Sequence, residues 1–198
     1  MQLPNLTAYL SEILQIPQDG LVQSGHLYSI KYAVKNEILL QPGEVCRHTY
    51  FVEKGLLRMY SADRNAKEHI IQFAPENWLI SDRSSLYFNE NSDYYIDAVE
   101  ESILILLDHH FFSGVKELFP NAGENNDLLL QKHIRGLQNR VNSLLTETAE
   151  ERYLNFLKMY PDIMQRVPQW MVASYLGITP ESLSRVRKEL ARKNFEIT

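Results

Sequence analysis

The stretch WMVASYLGITPESLSRVRKELARKNF, residues 170–195, decides how the C-terminal part of the chain folds. Its Gly-Ile-Thr-Pro turn separates two helix-length segments. Gly177 suits a left-handed C-cap, Thr179 an N-cap and Pro180 the first position of the second helix. Apolar residues recur every three or four positions along that second segment. The stretch therefore predicts a helix-turn-helix whose second helix begins at Pro180.

This second helix has a charge opposite to that of the whole chain. The 198 residues carry a formal net charge of −5, whereas residues 180–193 hold five Arg or Lys against two Glu. Two interpretations follow: a solvated helix face, or a footprint for phosphates on an otherwise acidic body. Charge alone does not decide between them.

The residue types on the second helix favour DNA. Glu181 and Arg185 are four residues apart and face the same way. A Glu can accept a hydrogen bond from cytosine N4, and an Arg can donate two to guanine O6 and N7. A surface salt bridge between them is the alternative. The candidate DNA-binding residues are Thr179, Glu181, Ser182, Ser184, Arg185, Lys188 and Arg192, of which the serines, Lys188 and Arg192, together with Arg187, are candidate phosphate contacts.

The region from Leu27 to Asp108 has a different pattern. Short apolar runs are separated by turn signals such as Pro42-Gly43, at a spacing of roughly eight to fifteen residues. Gly55 suits a bend or a close backbone approach within a hairpin. The pattern is typical of an antiparallel sandwich or barrel.

Between these regions lies a helix with a heptad pattern. Its apolar residues follow a 4-3-4-3 spacing: Leu130, Ile134, Leu137, Val141 and Leu144. Either the same chain or a second copy must cover this stripe, and the coiled-coil spacing favours a second copy. Thr148 and Glu151 form a capping box that opens the next helix. We therefore expect an N-terminal helix and effector domain over 1–120, a dimerisation helix over 121–147 and a DNA-binding domain over 148–198.

Other features limit the class of protein. Cys46 is the single cysteine, which excludes an internal disulfide and a Cys-rich metal site, and it is expected to be a small buried residue. The N-terminus lacks the pattern of a signal peptide, and no apolar run is long enough to span a bilayer. No nucleophile–base constellation, Gly-rich phosphate loop or metal-ligand spacing is present. We expect a cytoplasmic protein that is not an enzyme, with no cofactor, metal or membrane partner.

Nearly the whole chain resembles the Crp/Fnr type of bacterial transcription regulators. The likeness rests on QPGEVCRHTYFVEKGLLRMY (41–60), on the heptad helix, and most specifically on RVPQWMVASYLGITPESLSRVRKEL (166–190). It implies an α+β fold: an N-terminal antiparallel β-roll of the cyclic nucleotide-binding type, a long dimerisation helix and a C-terminal winged helix-turn-helix. Little sequence follows the second helix before Thr198, so the completeness of the wing stays open.

The resemblance also implies partners. It implies a homodimer bound to a two-fold symmetric site on double-stranded DNA, with Glu181 and Arg185 at the base-reading positions, and it leaves RNA polymerase open as a further partner. Pro180 stands where cyclic-AMP-responsive members carry another Arg, so the preferred half-site is expected to differ from theirs.

Relatives that bind cyclic nucleotides hold the ligand with a Gly-Glu pair, a short helix and then an Arg. The corresponding stretch is ENWLISDRSSLYFNENSDYYIDA (76–98), in which Asn91, Ser92 and Asp93 stand where the phosphate-binding Arg is expected. An Asp beside a phosphate is unfavourable, so cyclic AMP is not the expected effector; Arg83 would substitute only in a rearranged cassette.

The effector is therefore expected to be an unidentified small molecule. The candidate pocket residues are Trp78, Ser81, Asp82, Arg83, Tyr94 and Tyr95. The aromatic residues of this region, with Tyr87 and Phe88, either fill the core or line a pocket for another ligand. A second hypothesis for the whole chain is a small-molecule-binding or protein-interaction module whose helix-turn-helix no longer binds DNA.

Overall fold

Strands dominate the first half of the molecule and helices the second, in a computed structural model that describes residues 3–13, 15–16, 27–108, 110–119 and 122–195. The strands are β1 (Tyr28–Ala33), β2 (Ile38–Leu40), β3 (Thr49–Lys54), β4 (Leu57–Ala62), β5 (Glu68–Ala74), β6 (Leu79–Ile80), β7 (Tyr95–Ala98) and β8 (Ser102–Leu107). The helices are α1 (Pro4–Ala8), α2 (Arg83–Phe88), α3 (Phe111–Leu118), α4 (Ala122–Thr146), α5 (Ala149–Met159), α6 (Ile163–Arg166), α7 (Gln169–Leu176) and α8 (Pro180–Phe195). A π-helical turn, Tyr9–Ile13, continues α1.

The chain divides into two units. The first combines Met1–Ala62 with Ile71–Lys132, and the second combines Asp63–Ile70 with His133–Thr198. Among the described residues, no helix combines the length and the apolar character needed to cross a bilayer.

The strands form two four-stranded sheets, with the orders β1-β8-β3-β6 and β2-β7-β4-β5. The pairings of β8 with β1 and β3, of β3 with β6, and of β7 with β2 and β4 are antiparallel. The expected α+β fold with an N-terminal antiparallel β-roll is therefore confirmed.

Strands β3 and β8 are buried on both faces. Tyr50, Val52 and Leu104 belong to the core of the roll, whereas the alternate residues Phe51 and Ile105 belong to a second apolar cluster with α1 and α3. Because neighbouring residues of a strand point to opposite faces, a strand covered on both sides needs a continuous apolar run. This explains the run of five apolar residues from Ile103 to Leu107.

A buried carboxylate from β3 holds the N-terminal helix. Glu53 accepts hydrogen bonds from the backbone amides of Asn5, at 3.0 Å, and Leu6, at 2.8 Å. The first amides of a helix have no partner within it, and a carboxylate also complements the positive end of the helix dipole. Glu53 thus caps α1 from a distance of almost fifty residues along the chain, a contact that the sequence pattern did not predict.

The turn between β3 and β4 requires glycine. Gly55 has a φ of +100°, and a β-carbon there would lie 2.8 Å from the carbonyl oxygen of Glu101 and would overlap Ser102 Oγ. The predicted close backbone approach at Gly55 is therefore confirmed.

The second unit contains the C-terminal half of α4 and the helices that follow it. The predicted capping box at the start of α5 is confirmed: Thr148 Oγ1 accepts from the amide of Glu151, and the Glu151 carboxylate accepts from the amide of Thr148. Phe156, Tyr160 and Tyr175 form an aromatic cluster with ring centroids 5.2–5.7 Å apart. Helices α5, α7 and α8 pack around a core that includes Val172 and Leu183. Beyond residue 147, the described secondary structure is entirely helical.

Candidate nucleic-acid interface

The corner between α7 and α8 has the expected geometry. Gly177 adopts a left-handed conformation with φ +66°, and its amide donates to the carbonyl of Ser174 at 3.0 Å. The amide of Ile178 donates to the carbonyl of Ala173, also at 3.0 Å. These bonds end α7 and turn the chain sharply, which is what a helix-turn-helix requires.

The first turn of α8 is held by its cap. The Thr179 hydroxyl accepts a hydrogen bond from the amide of Ser182 at 3.2 Å and lies 3.3 Å from the Ser182 hydroxyl. The predicted N-cap is thereby confirmed. Of the candidate DNA-binding residues, Thr179 and Ser182 are thus engaged with each other.

The remaining candidates share the exposed side of α8. Leu183 and Val186 are buried against the helices of the second unit. Four side chains follow one another at spacings of four, three and four residues on the opposite side, with Ser184 beside them: Glu181, Arg185, Lys188 and Arg192. At 100° per residue these four lie within a narrow sector of the helix surface. We call this set the α8 stripe.

The electrostatics of the stripe suit a polar ligand. A hydrogen bond from the Thr179 side chain, followed by one from the backbone of the first turn, lowers the pKa of Glu181. The carboxylate is therefore held as an acceptor, next to three exposed cations. An exposed face with one fixed acceptor and several donors can contact both base edges and phosphates.

Lys193 is set apart from the stripe. Its ammonium group lies 2.7 Å from Oε1 and 2.9 Å from Oε2 of Glu150 on α5. This pairing raises the pKa of Lys193 and joins the end of α8 to the start of α5. One of the five basic residues of this helix is thus paired within the chain.

The heptad residues of α4 leave an uncovered apolar groove. Leu137 is 51% exposed and Val141 57% exposed, and Ile134 is also exposed. Leu145, which the heptad pattern does not include, is 78% exposed and lines the same groove. The polar residues of the groove are Gln138 and Asn142.

Two heptad residues differ from the others. Leu130 is half-buried. Leu144 lies beside the helix-turn-helix corner, since a β-carbon on Gly177 would come within 3.2 Å of its Cδ2. The apolar residues that line the groove are therefore Ile134, Leu137, Val141 and Leu145.

The interior of the β-roll is filled with side chains. Trp78, Leu86 and Tyr94 pack against its core, which also contains Tyr50 and Cys46. The Tyr50 hydroxyl donates to the carbonyl of Leu39 at 3.0 Å, and burial raises the pKa of the Cys46 thiol. Two of the candidate pocket residues, Trp78 and Tyr94, thus contribute to packing.

In the segment that corresponds to the nucleotide-binding residues of the relatives, polar groups form hydrogen bonds within the chain. Asp82 is the N-cap of α2 and accepts from the amide of Ser85 at 3.2 Å. The Ser85 hydroxyl donates to the carbonyl of Glu90 and accepts from the amide of Cys46. Ser92 is buried, and its hydroxyl lies 3.0 Å from the amide of Tyr94.

The other candidate pocket residues are dispersed. Ser81 lies between β6 and α2. Arg83 stacks over Tyr87, with its guanidinium carbon 5.0 Å from the ring centroid. Tyr95 stacks on Tyr60 at 4.9 Å, on the sheet face opposite its core neighbour Ile96. The effector role of the six candidates therefore stays a prediction.

Tyr87 and Phe88 do not fill the core, which was one of the two roles expected for them. They are 54% and 73% exposed. Helix α2 has only six residues, and it turns Ser85 and Leu86 inward, so the next two side chains point away from the core. The apolar run is too short to show a helical or strand period, so the sequence did not predict which side chains point outward.

The sequence pattern also did not predict a buried ion pair on the second sheet. Arg58 Nε and Nη2 each donate to the Asp97 carboxylate at 2.8 Å, and the guanidinium lies 4.2 Å from the Tyr60 ring centroid. The two residues lie side by side on β4 and β7. Because they are 39 positions apart in sequence, only the strand register brings them together.

Comparison with known proteins places this architecture. Residues 30–117 match the cyclic nucleotide-binding domain family. Three solved structures are similar: FixK2 from Bradyrhizobium japonicum, a CooA mutant from Carboxydothermus hydrogenoformans and the catabolite activator protein of Thermus thermophilus. The fold is that of the Crp/Fnr regulators. No curated protein matches the chain.

The likeness to these Crp/Fnr structures extends over most of each chain at low sequence identity. For FixK2 the identity is 17% and the TM-score 0.70, covering 84% of this chain and 86% of that one. For the CooA mutant the identity is 19% and the TM-score 0.69, covering 93% of this chain and 84% of that one. For the catabolite activator protein the identity is 18% and the TM-score 0.55, covering 90% of this chain and 85% of that one. The expected Crp/Fnr resemblance is thereby confirmed for the fold.

Proposed function

We propose that the chain is a DNA-binding transcription regulator that reads the major groove with α8. The observation that carries the proposal is the α8 stripe: four charged side chains on one exposed side of a capped helix whose other side is buried. A reader helix needs this combination, because the scaffold must hold the helix while its free side contacts the groove.

The proposal gives each residue of the stripe a role. Arg185 donates both arms of its guanidinium to guanine O6 and N7, and Glu181 accepts from cytosine N4. Lys188, Arg192 and Ser184 contact phosphates, which position the helix without reading sequence. The hydroxyls of Thr179 and Ser182 keep the first turn of α8 in shape, so that Glu181 and Arg185 project from a fixed start.

We further propose that the regulator is a homodimer and that a second copy covers the groove on α4. The groove is apolar, and its polar residues, Gln138 and Asn142, are neutral amides. Two copies can therefore meet there without like-charge repulsion. A two-fold dimer of readers requires a two-fold symmetric DNA site.

The proposed effector domain does not use cyclic AMP. A cyclic phosphate needs a cation, whereas the segment that should supply it offers the buried Ser92 and, beside it, Asp93. The roll interior around Trp78 and Tyr94 is occupied by packed side chains. The proposal describes a binding protein rather than an enzyme, and it leaves the small-molecule effector without a chemical identity.

Selection from a random duplex library tests base reading. The wild type is expected to enrich a two-fold symmetric sequence. Arg185→Ala should lose about 1–3 kcal/mol of discrimination at one base pair of each half-site. Lys188→Ala is the matched control: it should weaken binding to all sequences alike and reduce the salt slope by about 1.

The outcome also separates the two functions considered for the chain. Equal affinity of the wild type for every duplex, unchanged by Arg185→Ala, would refute base reading and favour a module with a vestigial helix-turn-helix.

A further inference from the structure

Arg140 joins the α4 helix to the corner of the helix-turn-helix. Its guanidinium carbon lies 3.9 Å from the centroid of the Tyr175 ring, and its Nη2 donates a hydrogen bond to the backbone carbonyl of the same residue. Both residues belong to the second unit of the chain. One side chain of α4 thus contacts both the side chain and the backbone of a residue near the end of α7.

The carbonyl that Arg140 binds belongs to the last turn of α7. Carbonyls at the end of a helix lack partners within it. The amides of Gly177 and Ile178 bind the carbonyls of Ser174 and Ala173, and Arg140 binds the carbonyl of Tyr175. A cation is favoured at this end of the helix dipole. Arg140 therefore completes the end of α7, directly before the turn that starts the reader.

The contact is well anchored on both sides. Tyr175 is buried, with ring centroids 5.4 Å from Phe156 and 5.7 Å from Tyr160. One turn further along α4, Leu144 lies beside Gly177. Arg140 is half-buried, and this burial is the main cause that lowers its pKa. Two side chains of α4, Arg140 and Leu144, therefore lie against the corner from which α8 begins.

The short segment that joins α4 to α5 has hydrogen bonds of its own, which do not involve Arg140. The carbonyl of Glu147 accepts from Arg152 at 2.7 Å, and the Glu147 carboxylate accepts from Ser143 and Asn155. These bonds fix the start of α5. The contact of Arg140 is a different one, because its partner Tyr175 lies 35 residues further along the chain.

We propose that Arg140 is a positioning residue that sets the direction of α8 relative to α4. The inference rests on the proposed function: in a dimer joined through α4, this direction determines the separation of the two readers and hence the spacing of the half-sites. Moving one half-site by a single base pair shifts it by about 3.4 Å and turns it by about 35°. Readers held rigidly cannot follow such a change, whereas readers on a loosened corner can.

The planar guanidinium is required for this role. It can lie flat on an aromatic ring while it donates from its edge, whereas an ammonium group is a compact, strongly hydrated charge. Arg140→Gln removes the charge and the stacking, and Arg140→Lys keeps the charge and most of the stem but not the planar group. Arg135→Gln is the matched control, because Arg135 is an exposed Arg on the same helix.

The experiment measures affinity for a series of duplexes that carry the selected half-sites at the natural spacing and at one base pair more or less. The wild type and Arg135→Gln should bind the altered spacings at least about tenfold more weakly, as expected when one reader loses its contacts. For Arg140→Gln the difference should fall to about two- or threefold, with Arg140→Lys in between. Affinity for a single half-site and the dimer dissociation constant should stay as in the wild type.

The outcomes separate this inference from the proposed function. A wild-type protein without preference for any two-fold site would overturn both. A wild-type spacing preference that Arg140→Gln retains in full would overturn the positioning role alone. If Arg140→Gln lowers the unfolding temperature, the spacing profile of Arg140→Lys decides the question, because this variant keeps the charge and most of the side-chain stem.

Discussion

Replacement of Leu137 on α4 is expected to break the proposed dimer. Leu137 is 51% exposed in the groove that a second copy is proposed to cover. In a two-fold dimer each substitution occurs twice, and residues at the centre of the seam meet their own copies. A change at this position therefore acts on both sides of the interface.

The size of the effect follows from the exposed surface. Full burial of a Leu side chain contributes about 2 kcal/mol, so covering the exposed half of Leu137 contributes about 1 kcal/mol in each copy and about 2 kcal/mol in the dimer. Leu137→Ala should weaken dimerisation by roughly 30-fold. Leu137→Glu adds repulsion of about 1–4 kcal/mol between two carboxylates, for a total weakening of about 10²- to 10⁴-fold.

Sedimentation equilibrium over a range of protein concentrations measures these constants directly. Leu128→Glu is the matched control, because Leu128 is also on α4 and is 54% exposed. It lies nine residues before Leu137, which is two and a half helical turns and therefore the opposite side of α4. The control should remain a dimer. A Leu137→Glu protein that dimerises as tightly as the wild type would refute the proposed interface.

Three further predictions concern the β-roll. Calorimetric titration with cyclic AMP should give no saturable heat, and tight binding would contradict the assignment of Ser92 and Asp93. Gly55→Ala should destabilise the roll by about 1–3 kcal/mol from the positive φ alone, before the contact with the Glu101 carbonyl is counted; an unchanged denaturation midpoint would show that the turn relaxes. Glu53→Ala should cost about 1–3 kcal/mol by leaving the amides of Asn5 and Leu6 unpaired, and Glu53→Gln less, because it keeps one acceptor; equal effects of the two substitutions would refute the capping role.

Local signals predicted the helix-turn-helix and the helix caps well. The cap at Thr179, the left-handed Gly177 and the capping box at Thr148 each involve residues within a few positions of one another. Such contacts depend only on residues that are close together in the sequence, so the sequence alone predicts them. The same holds for the antiparallel roll, whose short strands and turns repeat at regular intervals.

Contacts between distant residues were not predictable in this way. Glu53 caps α1, Arg58 pairs with Asp97, and Arg140 caps α7, all across more than thirty positions. Each uses a charged residue that, in sequence, resembles an ordinary surface residue. Only the fold shows that Glu53, Arg58 and Asp97 are buried, and which backbone or side-chain group each charge satisfies.

The heptad residues of α4 and the residues that line its uncovered groove overlap but are not the same set. A strict repeat of seven residues selects Leu144, whereas a straight helix with 3.6 residues per turn drifts from that repeat by about 20° per heptad. In the structure Leu144 lies beside Gly177, and Leu145 takes its place in the uncovered groove. The periodicity thus predicted the helix and its apolar side, and the place of Leu144 in a dimer interface stays a prediction.

Under the proposed function, the α4 groove and the α8 stripe act together in DNA recognition. Proposed base contacts of Glu181 and Arg185, at about 1–3 kcal/mol each, would give a single reader about 2–6 kcal/mol of discrimination. A genome offers about 10⁶ or more competing sites, which corresponds to about 8 kcal/mol. One reader falls short of this value, whereas two readers held together reach about 4–12 kcal/mol. Because Arg140 ties the reader corner to α4, the second set of base contacts adds to the first only when the groove is covered by another copy. In the proposed dimer, base recognition is therefore expected to depend on Leu137 and Val141 as directly as on Arg185.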